Sequence, residues 1–127
     1  MLKKISTQDA PKAIGPYSQA TIYNDLLFTS GQIPLDPKTM LVVGNDIKEQ
    51  TEQVMKNLSA VLKEASSSFD NVIKTTCFLA DINDFTSFNE VYAKYFVSKP
   101  SRSCVAVKDL PKGVLVEVEL IAVIHKN

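Results

Sequence analysis

Residues 114–124, VLVEVELIAVI, decide how this chain folds. Successive side chains of an extended segment point to opposite faces. Val116, Val118, Leu120, Ala122 and Ile124 therefore share one face, and Leu115, Glu117, Glu119, Ile121 and Val123 share the other. The first set is uniformly apolar and suits a face packed under helices. The second sets two carboxylates beside Ile121 and Val123. One covered face and one mixed face is the pattern of a strand in an antiparallel sheet.

Working outward, the turn LPKG at 110–113 separates this strand from PSRSCVAV at 100–107. From Ser103 that stretch reads as another strand, with Ser103, Val105 and Val107 alternating with Cys104 and Ala106, and Arg102 stands at its head. Residues 71–80, NVIKTTCFLA, are β-branched with period two and predict a strand. YSQATIY at 17–23 and LLFTSGQI at 26–33 predict two more, joined by a two-residue hairpin turn at Asn24–Asp25. LDPKT at 35–39 is a turn with Pro37 presetting its backbone, and a short extended piece follows at 40–43.

Two helices complete the reading. Over 46–65, Ile47, Thr51, Val54, Leu58, Val61 and Ala65 recur at three- and four-residue steps, with Leu62 widening the stripe. Asp46 with Glu49 forms a capping-box-like start. Over 83–96, Phe85, Phe88, Tyr92, Tyr95 and Phe96 form an aromatic stripe. Two helices can cover one face of the sheet. The other face carries Leu115, Ile121 and Val123 with nothing left in the chain to cover it, which predicts an oligomer that buries it. The fold class expected is α+β: a mostly antiparallel sheet backed on one face by two helices.

The 127 residues suit one domain, 1–127, with no linker or repeat. Fourteen basic and fourteen acidic side chains give zero net charge, against the basic excess of a general nucleic-acid binder. Lys3 and Lys4 are followed by no apolar run, so neither a signal peptide nor a membrane span is expected and the location expected is cytoplasmic. Cys77 and Cys104 do not make a disulfide framework, and a single histidine, His125, supplies no metal site at any usual spacing.

Several residues could carry chemistry. Arg102 offers a permanently charged planar fork that can grip a carboxylate with two parallel hydrogen bonds; placed near Glu117 and an interface it could hold a ligand there, or simply form an interfacial salt bridge with Glu117 or Glu119. Glu117 and Glu119 lie about 7 Å apart on one face, and paired carboxylates can do acid–base work. Cys104 faces the same side as Arg102, yet no histidine stands ready to activate it, so a small buried hydrophobe is the reading preferred. TSGQ at 29–32 lacks the spacing of a phosphate loop; Gly31 at a strand end lets a backbone approach something closely. Tyr17 and Asn89 add a hydroxyl and an amide.

APKAIGPYSQA (10–20), LLFTSGQIPLDPKTM (26–40), NVIKTTCFLADINDFTSFNEVYAKYF (71–96) and PSRSCVAVKDLPKGVLVEVELIAV (100–123) together resemble the reactive intermediate deaminase family, RidA/YjgF, over nearly the whole chain. The resemblance implies about six strands, a homotrimer with a chorismate-mutase-like barrel, and a site in each cleft between subunits. It implies hydrolysis of enamines and imines such as 2-aminoacrylate or 2-aminocrotonate to a 2-keto acid and ammonia, with no cofactor. It assigns carboxylate binding to Arg102, the attacking water to Glu117, and pocket lining to Tyr17, Ser30, Gly31, Asn89 and Cys104. Lys99 stands where the family usually has an apolar residue, which bears on the pocket rim. Two other functions compete: a regulatory module that binds small carboxylates, and an RNA-cleaving inhibitor of translation.

Overall fold

The computed structural model describes residues 1–125. Its strands are β1 (Lys3–Ile5), β2 (Ala20–Tyr23), β3 (Leu26–Thr29), β4 (Val72–Leu79), β5 (Ser101–Ala106) and β6 (Val116–Val123); its two α-helices are α1 (Ile47–Glu64) and α2 (Phe85–Tyr95). The strands form one sheet in the order β1-β2-β3-β6-β4-β5. Every neighbouring pair is antiparallel except β4 with β5. A parallel pair needs a crossover connection, and α2 is that crossover.

The last strand sits in the middle, between β3 and β4. Its alternation therefore sets the character of the whole sheet. Val116, Val118, Leu120 and Ala122 are buried in one core cluster with Val54, Met55, Leu58, Val61 and Leu62 of α1 and Phe88, Val91 and Tyr92 of α2. Burial of each large apolar side chain is worth roughly 1.5–3 kcal/mol, so this face contributes strongly to the drive to fold. The capping expectation for α1 holds: the Glu49 N–H donates to Asp46 Oδ1 at 2.8 Å. The reciprocal arm lands one residue early, with the Asn45 N–H donating to Glu49 Oε1 at 3.3 Å.

Several boundaries differ from the sequence reading, among them the end of β3, at Thr29 rather than near Gly31. β1 was not expected; three residues are too few for an alternation to be legible, and Lys3 and Lys4 are exposed on this edge strand. β2 starts at Ala20 rather than residue 17, because the Tyr17 N–H closes a tight turn on the Gly15 carbonyl at 2.9 Å. β5 starts at Ser101, so Arg102 lies inside the strand and the pleat dictates its side. Leu115 precedes β6 and packs against the core, its N–H held by Gln50 Oε1 at 2.8 Å, instead of joining the open face. On α2, Phe85 and Tyr95 are only partly buried and Val91 joins the stripe.

The open face is otherwise as expected. Ile121 and Val123 lie opposite Phe28 and Leu26 of β3. Tyr23, Phe28, Val105 and Val123 are each 40–50% exposed, an apolar patch on the side away from the helices. Among the described residues, no helix is long and apolar enough to cross a membrane.

Candidate active site

Two hollows contain the residues singled out from the sequence, except Cys104, which lines neither. The first, about 680 Å³, is lined by Tyr17, Ser30, Gly31 and Glu117, together with Glu119 and Lys112 among others. A local irregularity builds it. Phe28 pairs with Ile121, and Gln32 bridges Val118, so four residue steps on one chain segment answer three on β6. The extra residue is a bulge of the kind that re-aims side chains next to sites. Both ends are pinned: the Gln32 N–H donates to the Val118 carbonyl at 2.8 Å, and the Leu120 N–H donates to Thr29 Oγ1 at 3.0 Å. Ser30 turns its hydroxyl to the Ser18 carbonyl at 2.6 Å.

Gly31 is thereby pressed against Glu117. A Cβ at residue 31 would meet Glu117 Cδ at 2.7 Å and Cγ at 2.9 Å, distances no real side chain tolerates. The close approach expected of Gly31 is to the carboxylate arm itself. Burial, and then the like charge of Glu119, push the Glu117 carboxyl above the usual carboxylate range. A half-buried carboxylate with a raised pKa is a stronger base than an exposed one.

The second hollow, about 510 Å³, is lined by Asn89, Tyr92, Phe96, Lys99 and Arg102 among others. Arg102 donates from its guanidinium to Asn89 Oδ1 at 2.7 Å. Its charged carbon lies 4.8 Å from the centre of the Tyr92 ring and 5.4 Å from that of Phe85. Aromatic faces attract a cation without neutralising it. Tyr92 is itself steadied by a 2.7 Å hydrogen bond between its hydroxyl and Thr75 Oγ1. Among the described residues no carboxylate pairs with Arg102, so its donors remain available for an anion.

The two hollows do not meet within one chain. Arg102 is in register with Thr75, and Thr75 with Leu120, so Arg102 shares the helix-covered face with Leu120. Glu117 is in register with Phe78, on the open face. Within one chain Arg102 and Glu117 therefore stand apart, and a ligand site or an ion pair that joins Arg102 to Glu117 or Glu119 has to span two copies, as an interfacial site requires. Cys104 faces the same side as Arg102, as expected, and lies directly across from Cys77. Both thiols are free.

The sequence reading missed Gln19. It is buried, accepts from the Thr7 N–H at 2.7 Å and donates to the Pro11 carbonyl at 2.8 Å, which ties down the loop carrying Tyr17. A polar residue just before an apolar strand was the only signal. Among the described residues, no three His, Cys, Asp or Glu side chains gather where they could hold a metal.

A family model described as Endoribonuclease L-PSP matches residues 7–124. The chain belongs to that family. Among its relatives is the AldR protein of Lactococcus lactis, named as a candidate regulator, 60% identical over 95% of this chain and 97% of the relative. The human 2-iminobutanoate/2-iminopropanoate deaminase is 47% identical over 94% of this chain and 88% of its own. A crystal structure of Escherichia coli TdcF with bound serine superposes with a TM-score of 0.91 at 43% identity, covering 97% of this chain and 99% of that one. The resemblance read from the sequence is thus borne out, and the fold of this Endoribonuclease L-PSP family member is that of its solved relatives.

Proposed function

We propose that the protein hydrolyses imines of small 2-amino acids to 2-keto acids and ammonia, at a site shared between copies of the chain. The observation that carries this reading is Arg102: a buried-side guanidinium set over two aromatic rings, hydrogen-bonded to Asn89 and lacking a carboxylate partner among the described residues. Such a group fits a carboxylate ligand. Glu117 lies on the opposite face of the same sheet, so a site that uses both draws Arg102, with Asn89 and Cys104, from one copy, and Glu117, with Tyr17, Ser30 and Gly31, from another. The apolar open face favours assembly, and we propose a homotrimer that buries it. The human relative's name supports the reaction class, and serine in TdcF supports a small ligand bearing a carboxylate.

The chemistry follows from the two groups. Arg102 grips the carboxylate and fixes the position of the adjacent C=N carbon. Glu117 accepts a proton from a water as that water adds to the carbon. With the imine nitrogen protonated, the addition gives a neutral carbinolamine; its nitrogen takes the proton back from Glu117, and as the C–N bond breaks the hydroxyl gives up its own proton to solvent, so that ammonia and the 2-keto acid leave. No cofactor is needed for an addition and elimination at one polar double bond. The protein then works in the cytoplasm, where small imines arise.

The candidate-regulator name of AldR supports a second reading, binding of a small carboxylate without turnover. Glu117 weighs against it, since a carboxylate binder gains nothing from a second anion beside its ligand. The family description supports RNA cleavage, but zero net charge and one histidine fit that poorly.

Mixing two inactive chains tests the shared site. Arg102→Ala and Glu117→Gln homomers should each lose deaminase activity on a freshly generated imine. Co-assembled from a mixture of both chains, they should regain a clear fraction of wild-type rate, since some clefts receive an intact Arg102 from one chain and an intact Glu117 from the other. No recovery in demonstrably mixed assemblies overturns the shared site; no activity in the wild type overturns the enzyme.

A further inference from the structure

The two cysteines are far apart in sequence but adjacent in the sheet. Cys77 of β4 and Cys104 of β5 are in direct register on neighbouring parallel strands. In-register residues point to the same face, here the helix side. Neighbouring strands run about 4.8 Å apart, inside the Cα separation of about 4.4–6.8 Å that a disulfide spans. The pair is also asymmetric. Cys77 is 0% exposed within the core, its thiol donating to Thr75 Oγ1 at 3.8 Å, while Cys104 is only partly buried. Arg102 lies two residues along the same face.

We propose that Cys104 and Cys77 form an oxidisable dithiol, with Cys104 the thiol that hydroperoxides oxidise and Cys77 the one that resolves it into an intrachain disulfide. The Cys77 thiol beside it, and then the Arg102 charge, draw the Cys104 thiol down to about 7 against the opposing effect of burial. A thiol near ambient pH combines a substantial thiolate fraction with good nucleophilicity. The Cys77 thiol is pushed up by its contact with Cys104 and by burial, so it stays protonated until its partner is oxidised. In the first step the Cys104 thiolate attacks one peroxide oxygen, the O–O bond breaks, and a sulfenic acid and hydroxide result. In the second, Cys77 loses its proton and its sulfur attacks Cys104, forming the S–S bond and expelling hydroxide. The two hydroxides take up the two thiol protons, so two thiols and one hydrogen peroxide give one disulfide and two waters. The thiols lose two electrons and the peroxide gains them.

Hydrogen peroxide added to the purified full-length protein, followed by alkylation under denaturing conditions and intact mass measurement, tests this. The expected product is a single chain lighter by about 2 Da, with neither cysteine alkylated, restored by dithiothreitol. Cys77→Ser should instead yield a sulfenic acid at Cys104 that a dimedone probe traps. Wild-type protein that over-oxidises at Cys104, or cross-links only between chains, or keeps two alkylatable thiols at peroxide concentrations that oxidise a low-pKa thiol, overturns the proposal. Circular dichroism of Cys77→Ser and of Cys77→Ala, read before oxidation, ensures that a folded variant is the one compared.

Discussion

The Glu117 hollow and the Arg102 hollow sit on opposite faces of one sheet and are built by different means. Backbone shapes the first: a bulge at residues 29–31, pinned at both ends, seats Gly31 against the Glu117 side chain. Side chains shape the second: Phe85, Tyr92 and Asn89 of α2 surround a guanidinium carried by β5. The difference is physical. A carboxylate that must hold a water needs a precise position and a raised pKa, which close backbone contact and burial provide. A cation awaiting an anion needs stabilising without neutralising, which aromatic faces and an amide oxygen provide.

The largest effect should come from Arg102. Two charge-assisted hydrogen bonds to a carboxylate are together worth about 3–6 kcal/mol, so Arg102→Ala should cut kcat/KM by about a hundredfold to ten-thousandfold. Arg102→Lys keeps the charge but not the fork and should recover part of that loss. Assembly should survive both, because the open apolar face lies on the other side of the sheet. Light scattering and imine hydrolysis measured on the same preparation check this. A dissociated Arg102→Ala protein would make the second hollow a structural device.

Gly31→Ala probes the backbone-built hollow alone. A methyl there displaces the Glu117 side chain, so turnover should fall by more than about tenfold, while carboxylate binding measured with a non-reacting 2-keto acid changes little. Equal losses in binding and turnover would mean that the two hollows act as one unit already within the chain.

The smallest effect is a shift in pH dependence. Glu117 must be ionised to accept a proton, and its pKa is raised first by burial and then by Glu119. Activity should therefore hold at higher pH and fall as pH drops through a value above the usual carboxylate range. Glu119→Gln removes only the second cause, so the acid limb should move to lower pH without a large loss at the plateau. Glu117→Gln should instead abolish most turnover at every pH. A Glu119→Gln profile that coincides with wild type would sink the assigned coupling between the two carboxylates.

How much was legible beforehand depended on the length of the pattern. VLVEVELIAVI repeats its alternation long enough to declare a covered and an open face, and the three-and-four spacing from Ile47 to Ala65 declares α1, capped at Asp46. The hairpin at Asn24–Asp25 was equally plain, and Tyr23 does pair with Leu26. β1 was not legible, since three residues carry no period. Tyr17, Ser30, Gly31, Asn89, Arg102, Cys104 and Glu117 stood out by residue type and by family resemblance, but neither says whether Arg102 shares the face of Glu117.

The sequence by itself determined the two layers, the open apolar face and the residue types, a guanidinium and a carboxylate, on which the proposed site rests. Local periodicity and residue chemistry suffice for those. Only the tertiary structure decided that β6 lies between β3 and β4, that β5 begins at Ser101, and hence that Arg102 and Glu117 face opposite ways. It also decided that Cys77 and Cys104 are neighbours and that Gly31 presses on Glu117. These are matters of register between segments distant in the chain. Register depends on how the whole core packs, because a one-residue slip turns every side chain of a strand to the other face.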